Sequence, residues 1–262
     1  VGMVVMHGNY APNVLTNSCD VLIAIGMRFD DRVTGNLNSY AKQAKIIHFE
    51  IDPAEVDKNV KTDIAVLGDV KKTLVEIMQY VNKGEHNEWM HEFSKLLDIE
   101  NKTVINDQLN PTKEGLTMGE VMAGINRYTN GEAIIVSDVG QHQMFAWRYS
   151  KFVKTRSNVT SGGLGTMGFA LPAAIGAKLG ADGREVIAII GDGALSAGQA
   201  FEALNNAGTS LSNITVILND NHIGIDPSQG ALGDYLNHLN AQNDNFFTDL
   251  GLQYWGPVDG HS

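Results

Sequence analysis

Residues 186–194 read Val-Ile-Ala-Ile-Ile-Gly-Asp-Gly-Ala, an apolar run that ends in two glycines around an aspartate. A second apolar run, from Ile214 to Leu218, leads directly into Asn219-Asp220-Asn221. Short uninterrupted apolar runs of this kind are typical of strands that are buried on both faces of a parallel sheet. Both runs should therefore end at the carboxyl edge of one sheet, where open α/β folds bind their ligands.

Working outward from this stretch, the sequence predicts an α/β protein with two doubly wound parallel-sheet domains. In the first third of the chain, apolar runs at 21–26, 45–52 and 64–69 predict strands, and apolar residues at helical spacing predict a helix over 70–81. In the last part, further apolar segments predict a helix from Leu116 to Tyr128, a strand over 133–137 and a small-residue helix within Phe169 to Gly180.

The composition changes between these two regions. The polar, charge-rich stretch 83–113 is interpreted as a linker with one short amphipathic helix around 88–97. The predicted domains are therefore 1–82 and 114–262. The chain also begins with Val1 inside what reads as a strand, which predicts that it is a piece of something longer.

Charge and cysteine content exclude several classes of function. The formal net charge of -11 argues against nucleic acid and anionic membranes as partners. A single cysteine, Cys19, excludes a disulfide framework and a cysteine-based zinc site, and it suits a reducing compartment. No apolar run approaches about 18 residues and no secretory signal is recognised, so we expect a cytoplasmic protein without a membrane span.

The residues at the two strand ends suggest a magnesium and phosphate site. Asp192 offers a carboxylate oxygen and Asn221 an amide oxygen, while Gly191 and Gly193 let main-chain N–H groups approach a phosphate closely. Mg²⁺ prefers few protein oxygens and takes the rest of its ligands from phosphate and water. Taken alone, Gly-Asp-Gly after a strand is more often only a turn, and the paired Asn221 favours the functional reading.

This pair of motifs resembles the cofactor motif of thiamine-diphosphate-dependent enzymes. In that family the aspartate, the last asparagine and a backbone carbonyl two residues further on bind the metal. The resemblance therefore implies a magnesium site made by Asp192, Asn221 and the carbonyl of Ile223.

Up to about residue 190 the chain resembles the catalytic subunit of acetolactate synthase (acetohydroxyacid synthase). The residues that carry this resemblance are Met6-His7-Gly8, Gly26 to Gly35, His48 to Pro53, Asp138 to Gln143 and Gly162 to Phe169. The resemblance implies a thiamine diphosphate site, whose cofactor-binding residues would be Gly140, Gln141, His142, Gly165, Met167, Gly191, Asp192, Gly193, Ala194 and Asn221. Met167 would lie beneath the bent cofactor. The alternatives are a flexible loop for 162–165 and an ordinary surface or core histidine for His142.

The same resemblance implies an FAD site in the first domain, where the flavin would be structural. Its residues would come from the segments His7 to Arg28 and Glu50 to Asp69, with Arg28 pairing with the pyrophosphate. The alternative is that the charges around Arg28 form a solvated salt-bridge corner.

From residue 191 onward the resemblance changes to 1-deoxy-xylulose-5-phosphate synthase. It is carried by Ala194-Leu195, Phe201 to Gly208, Val216 to Asn221 and Gly256 to His261. The chain therefore reads as a fragment or hybrid of an acetolactate synthase, which joins pyruvate to a second 2-keto acid. The alternatives are a piece of the second enzyme or a non-catalytic cofactor-binding module. No catalytic residue is assigned to this chain, because the glutamate that activates the cofactor belongs to a pyrimidine-binding domain, supplied by a homo-oligomer or another partner.

Overall fold

The computed structural model describes residues 2–112, 114–210, 212–227, 229–240 and 244–260. The chain divides into two compact units, Val1–Ile105 and Asn106–Ser262. This division falls inside the stretch 83–113 that the sequence analysis interprets as a linker.

The first unit contains a three-stranded parallel sheet. Its strands, in the spatial order β1-β2-β3, are β1 (Val21–Ile25), β2 (Lys45–Glu50) and β3 (Ile64–Leu67). Its helices are α1 (Tyr10–Thr16), α2 (Asp31–Thr34), α3 (Val70–Ile77) and α4 (Asn87–Glu100), and α4 continues into a π-helical turn over Asn101–Ile105.

In the first strand of this sheet, β1, the exposed side chains alternate with side chains that are buried or half-buried. Ala24 and Ile46 pack with Phe29 and Tyr40 in a small core, because a strand points successive side chains to opposite faces. In β1, the intervening residues Val21, Ile23 and Ile25 remain exposed.

Helix α4 belongs to the first unit through its contact with α1. The carboxylate of Glu100, which is buried, accepts a hydrogen bond from the Tyr10 backbone N–H at 3.1 Å and from the Asn9 side chain at 3.4 Å. Much of the predicted linker is therefore helical, and α4 contacts α1 although most of its side chains are exposed.

The second unit contains a four-stranded parallel sheet in the order β5-β4-β6-β7. The strands are β4 (Ile134–Ser137), β5 (Asn158–Thr160), β6 (Val186–Gly191) and β7 (Thr215–Asn219). The helices are α5 (Asn106–Leu109), α6 (Met118–Thr129), α7 (Gln141–Tyr149), α8 (Ala170–Leu179), α9 (Asp192–Leu195), α10 (Gly198–Thr209), α11 (Ala231–His238) and α12 (Phe246–Asp249).

The two central strands of this sheet are buried along their whole length, as their apolar sequence predicts. Helix α8 contacts both β6 and α10. Small residues at this contact, among them Ala170, Ala174, Ala200 and Ala203, are buried, and they allow the helices to pack closely. The predicted α/β class with parallel sheets is confirmed. Within the part of the chain that the structure describes, no helix is long and apolar enough to cross a membrane.

Candidate functional site

The second sheet has a point at which its strand order reverses. From β4 the chain adds β5 on one side and then returns to add β6 and β7 on the other side. The carboxyl ends of β4 and β6 therefore flank a crevice, and ligands in open α/β sheets bind at such a switch point. The turns that follow β4, β6 and β7 carry most of the predicted cofactor residues.

The turn after β6 leaves little room for a side chain at either of its two glycines. A Cβ atom on Gly191 would lie 3.0 Å from Cε1 of His142, and one on Gly193 would lie 2.8 Å from the Cα atom of Gly224. Between them, Asp192 is the first residue of α9 and only 6% exposed. Ala194 is buried in the core below the turn. The main chain of this turn is thus held at the crevice by contacts that any larger side chain would disturb.

His142 lies beside the carboxyl ends of β4 and β6. Its ring is buried beside Gly140 and Gly191, and within the described residues its Nε2 atom has no hydrogen-bond partner. Burial lowers the pKa of His142, whereas the Asp138 and Asp192 carboxylates and a hydrogen bond with the Asp138 backbone act in the opposite direction. A buried ring nitrogen without a partner favours a ligand atom at this position over an ordinary core histidine.

The turn after β7 provides the remaining predicted metal ligands. Gly191 pairs with Asn219 in the sheet, so Asp192 and Asp220 follow neighbouring strand ends. The side-chain oxygen of Asn221 accepts the Ile223 N–H at 3.1 Å, which folds this turn back on itself.

The described residues include no group of three or more histidine, cysteine or acidic side chains that could hold a metal ion. A carboxylate-rich metal centre is therefore absent from them. A site with one carboxylate, one amide and one carbonyl, in which phosphate and water complete the shell, is compatible with this finding and suits Mg²⁺.

Met167 lies against the Gly193 turn. Its Cε atom is 3.6 Å from the position that a Cβ on Gly193 would take. Together with Asp192 and Gly193, Met167 lines a cavity of about 230 Å³. Gly165 has a backbone φ of +65°, which favours glycine, and it lies in the exposed turn that leads into Met167. Gln141 is exposed at the start of α7, next to the buried His142.

Three of the four predicted residues of the first unit lie at the ends of its three parallel strands, and each of these three has a local partner. Arg28, after β1, pairs with Asp30 at 3.2 Å, and its side chain is 52% exposed. Glu50, which ends β2, accepts the backbone N–H groups of the next two residues, and Asp69, after β3, accepts the Lys72 N–H at the start of α3. His7 is exposed in the loop before α1.

Two residues with a role in the geometry of the crevice were missed by sequence reasoning. Asp138 directly follows β4, as Asp192 follows β6, so the same pattern of a buried strand and then a carboxylate could have identified it. Gln199, in α10, carries no such signal. Its importance depends on a contact with Met167 that only the fold brings about.

Comparison with known proteins places both units in one family. Residues 138–225 match the C-terminal TPP (thiamine pyrophosphate, the same compound as thiamine diphosphate) binding domain of thiamine pyrophosphate enzymes, and residues 1–77 match their central domain. The first of these matches continues through residue 191. The comparisons do not show the change of resemblance that the sequence analysis predicts there.

Curated relatives carry the name acetolactate synthase. The chain is 40% identical over 228 residues to the acetolactate synthase large subunit of Lactococcus lactis subsp. lactis (strain IL1403), an alignment that covers 86% of this chain and 38% of the relative. It is 35% identical to the isozyme 3 large subunit of Escherichia coli (strain K12), with 86% and 39% covered. It is also 43% identical to a probable large subunit of Methanocaldococcus jannaschii, with 74% and 33% covered.

The chain thus spans about a third to two fifths of the length of these relatives. The switch-point crevice lies in the unit that matches the TPP-binding domain. The two domain matches and the similarity to acetolactate synthases show that the chain belongs to the thiamine pyrophosphate enzyme family.

Proposed function

We propose that this chain binds thiamine diphosphate and Mg²⁺ at the switch-point crevice of its second unit, as part of an acetolactate synthase-like carboligase. The reaction would decarboxylate pyruvate and join the remaining two-carbon unit to a second 2-keto acid, a step in branched-chain amino acid biosynthesis. The observation that carries the proposal is the cavity lined by Met167, Asp192 and Gly193. These three residues lie within the stretch that matches the TPP-binding domain, and the segment from Gly224 to Leu236 lines the other side of the cavity.

Each part of the crevice suits one part of the cofactor. The Asp192 carboxylate, the Asn221 amide and the Ile223 carbonyl would hold Mg²⁺, and the metal would hold the diphosphate. The main chain from Gly191 to Ala194, with Gly140, Gln141 and the unpartnered Nε2 of His142, would face the phosphate oxygens. Met167 would support the rings from below. The bound cofactor would supply the carbon nucleophile that attacks the keto group of pyruvate.

We also propose that turnover requires a pyrimidine-binding domain, supplied by a second copy of a longer chain or by another partner. This proposal rests on the resemblance to thiamine-diphosphate-dependent enzymes, in which a glutamate of that domain activates the cofactor, and no residue of this chain is assigned that role. The cytoplasm is the proposed location. Addition of a purified pyrimidine-binding domain to the chain should raise acetolactate formation from pyruvate, whereas turnover by the chain alone would contradict the proposal.

The decisive experiment for the cofactor site is a calorimetric titration of thiamine diphosphate into the purified chain, with and without Mg²⁺. The Asp192→Ala variant should lose the Mg²⁺-dependent binding. Glu185→Ala is the matched control, because Glu185 is an exposed carboxylate next to the opposite end of the same strand, β6. Loss in the first variant and retention in the second would support the proposal. A folded wild-type chain without Mg²⁺-dependent binding would contradict it.

A flavin site in the first unit is a separate proposal. Its support is the arrangement of Arg28, Glu50 and Asp69 at the carboxyl ends of neighbouring parallel strands, with His7 in a nearby stretch of sequence. The exposed Arg28 guanidinium would pair with the FAD pyrophosphate. Quenching of flavin fluorescence on titration, reduced in the Arg28→Ala variant, is the expected result. Equal quenching in both proteins would contradict the assignment of Arg28.

The same titration separates the alternative of 1-deoxy-xylulose-5-phosphate synthase, for which no flavin is expected. That alternative rests on stretches within 194–221 and on 256–261, of which His261 lies outside the described residues. A chain that binds thiamine diphosphate, binds no FAD and accepts glyceraldehyde 3-phosphate would favour that alternative over acetolactate synthase.

A further inference from the structure

Asp138 has an arrangement of hydrogen bonds that the proposed cofactor site does not by itself explain. Its side chain is fully buried at the end of β4, beside the crevice. One carboxylate oxygen accepts the Gly168 N–H at 2.9 Å and the Val139 N–H at 2.8 Å, and the other accepts the Ala170 N–H at 2.8 Å. The Asp138 backbone N–H in turn donates to the Ile189 carbonyl of β6, so the residue is fixed to both central strands.

The two longer-range bonds both hold the turn that carries Met167. Gly168 directly follows Met167, and Ala170 is the first residue of α8, where the helix dipole favours a negative charge. A buried carboxylate is costly unless its oxygens accept hydrogen bonds, and here both oxygens do. Asp138 therefore fastens the turn to the carboxyl end of β4.

The other side of the same turn is held from α10. The Gln199 side-chain amide donates to the Met167 carbonyl at 2.7 Å. The turn also has little room to move, since a Cβ atom on Gly168 would lie 2.7 Å from the Cβ atom of Ala197. The peptide that joins Met167 to Gly168 is thus held at its oxygen by Gln199 and at its N–H by Asp138, while the Met167 side chain contacts the Gly193 turn.

We propose that Asp138 and Gln199 are positioning residues. Their hydrogen bonds to the main chain around Met167, which we call the clamp, hold the Met167 side chain in place and so define the space for the rings of the cofactor. Neither side chain needs to touch the ligand. The diphosphate and metal end of the site depends on Asp192, Asn221 and His142. The hydrogen bond between His142 and Asp138 is made by the Asp138 backbone, which a change of the Asp138 side chain leaves in place. The inference rests on the proposed function in naming thiamine diphosphate as the ligand, but the clamp itself is a property of the chain.

Two variants test the clamp. Asp138→Asn keeps the size of the side chain but replaces one accepting oxygen with an NH₂ group, which cannot accept an N–H. Gln199→Met keeps the length and removes the donor. Ser157→Ala is the control, because it removes another buried polar side chain that accepts a hydrogen bond, from Arg184, at the amino end of β5. A merely structural role for Asp138 would make it behave like this control.

The first measurement compares two ligands by calorimetry in the presence of Mg²⁺. In Asp138→Asn, thiamine diphosphate should bind roughly tenfold more weakly, as is typical when a supporting residue behind a binding group is removed. Inorganic pyrophosphate, which lacks the rings, should bind as in the wild type. Gln199→Met should also weaken thiamine diphosphate binding without weakening pyrophosphate binding, but by a smaller factor. Ser157→Ala should change the affinity for neither ligand. An equal change for both ligands, or none for either, would overturn the proposal.

The second measurement does not depend on the cofactor. In the chain labelled with ¹³C-methyl methionine, which has nine methionines, the Met167 signal is assigned by its loss in Met167→Leu. Asp138→Asn should shift this signal, and Ser157→Ala should not. A wild-type chain that binds neither ligand would contradict the proposed function, and the methyl signal would still decide the clamp. An unchanged Met167 signal in Asp138→Asn would overturn it.

Discussion

The two parallel sheets of this chain present different carboxyl edges. In the first unit the strands lie in the order in which they follow along the chain, β1-β2-β3, so the described strands include no point of reversal. In the second unit the order β5-β4-β6-β7 reverses between β4 and β6. Polar residues follow the strands in both sheets, but only in the second do they meet at a crevice. Polar residues at strand ends are therefore not sufficient for a site, and the winding of the sheet decides which of them converge.

Both sheets are more buried at their centre than at their edges, and the second has the larger buried centre. The central strands β4 and β6 have no exposed residue and the central strand β2 has only Lys45 exposed, whereas the edge strands of both sheets, apart from Ala24, are exposed or half-buried. At the edge of the second sheet, His142, Gly191, Gly193 and Gly224 touch one another in pairs, and in the first unit Arg28 and Asp69 interact mainly with near neighbours in the sequence. The second unit thus holds its candidate residues by packing, and the first holds them by local hydrogen bonds.

The largest expected effect tests this difference in burial. Ile189→Ala in β6 removes a side chain that is 1% exposed and should lower the free energy of unfolding by about 3 kcal/mol. Ile23→Ala in β1, where the side chain is 56% exposed, should change it by less than about 0.5 kcal/mol. Urea unfolding, followed by hydrogen exchange in peptides from each sheet, measures both. Similar losses for the two variants would remove the distinction between the sheets.

The next effect concerns the packing of the crevice itself. Gly193→Ala places a methyl group against the Gly224 backbone, which cannot rotate away, and should cost about 2 kcal/mol as well as weaken binding of thiamine diphosphate. The control is Gly163→Ala, because a Cβ atom there would meet nothing within 4 Å. Thermal unfolding measures the stability of both variants, and calorimetry measures their affinity for thiamine diphosphate. If Gly193→Ala changes neither quantity, the turn has more freedom to move than its contacts indicate.

A smaller effect is expected from the polar contacts of the first unit. Glu100→Ala leaves the Tyr10 N–H without its acceptor and should destabilise the packing of α4 on α1 by about 1 kcal/mol. Limited proteolysis within residues 87–105 should become faster, and it should remain unchanged in Glu88→Ala, whose side chain is exposed on the same helix. Equal cleavage rates in wild type and Glu100→Ala would mean that other contacts hold this helix.

The smallest effect is a difference in how the units respond to acid. Burial places the pKa of His142 below its ordinary value of 6.5, so the unfolded chain takes up a proton that the folded unit does not. Stability of the second unit should therefore fall as the pH falls from about 7 to about 5, and His142→Gln should flatten this part of the profile.

In the first unit, the Ile46 backbone N–H and then Lys45 hold the pKa of Asp63 below 3.8. The stability that Asp63 contributes is present above that pH and is lost only as the pH falls further. Urea midpoints measured at several pH values show how the stability changes with pH, and hydrogen exchange assigns each change to one of the two units. If the stability of the second unit depends on pH in the same way in the wild type and in His142→Gln, then His142 is not the cause of its loss of stability in acid.

The sequence predicts the strands of this protein better than the interactions between their ends. The apolar runs before Gly191 and Asn219 define β6 and β7 because a fully buried strand needs little else. The strand β5 was missed, since Asn-Val-Thr is too short and polar to show any pattern. Motifs and resemblance predict Asp192 and Met167 as site residues, which stays a prediction. The Asp138 carboxylate accepts hydrogen bonds from the Gly168 and Ala170 N–H groups about thirty positions away, and no side-chain pattern encodes such partners.

The reversal of strand order also has a consequence for how the protein folds. The pair formed by Ile134 and Val186 joins segments that are distant in the sequence, and β5 and α8 lie in the stretch of chain that closes when β6 adds to β4. Contacts of this kind form slowly, because a long loop must close before they stabilise anything. The crevice needs both central strands and the turn after β7, so during refolding, helical structure should precede the ability to bind a ligand, and the binding site is among the last parts of the molecule to mature.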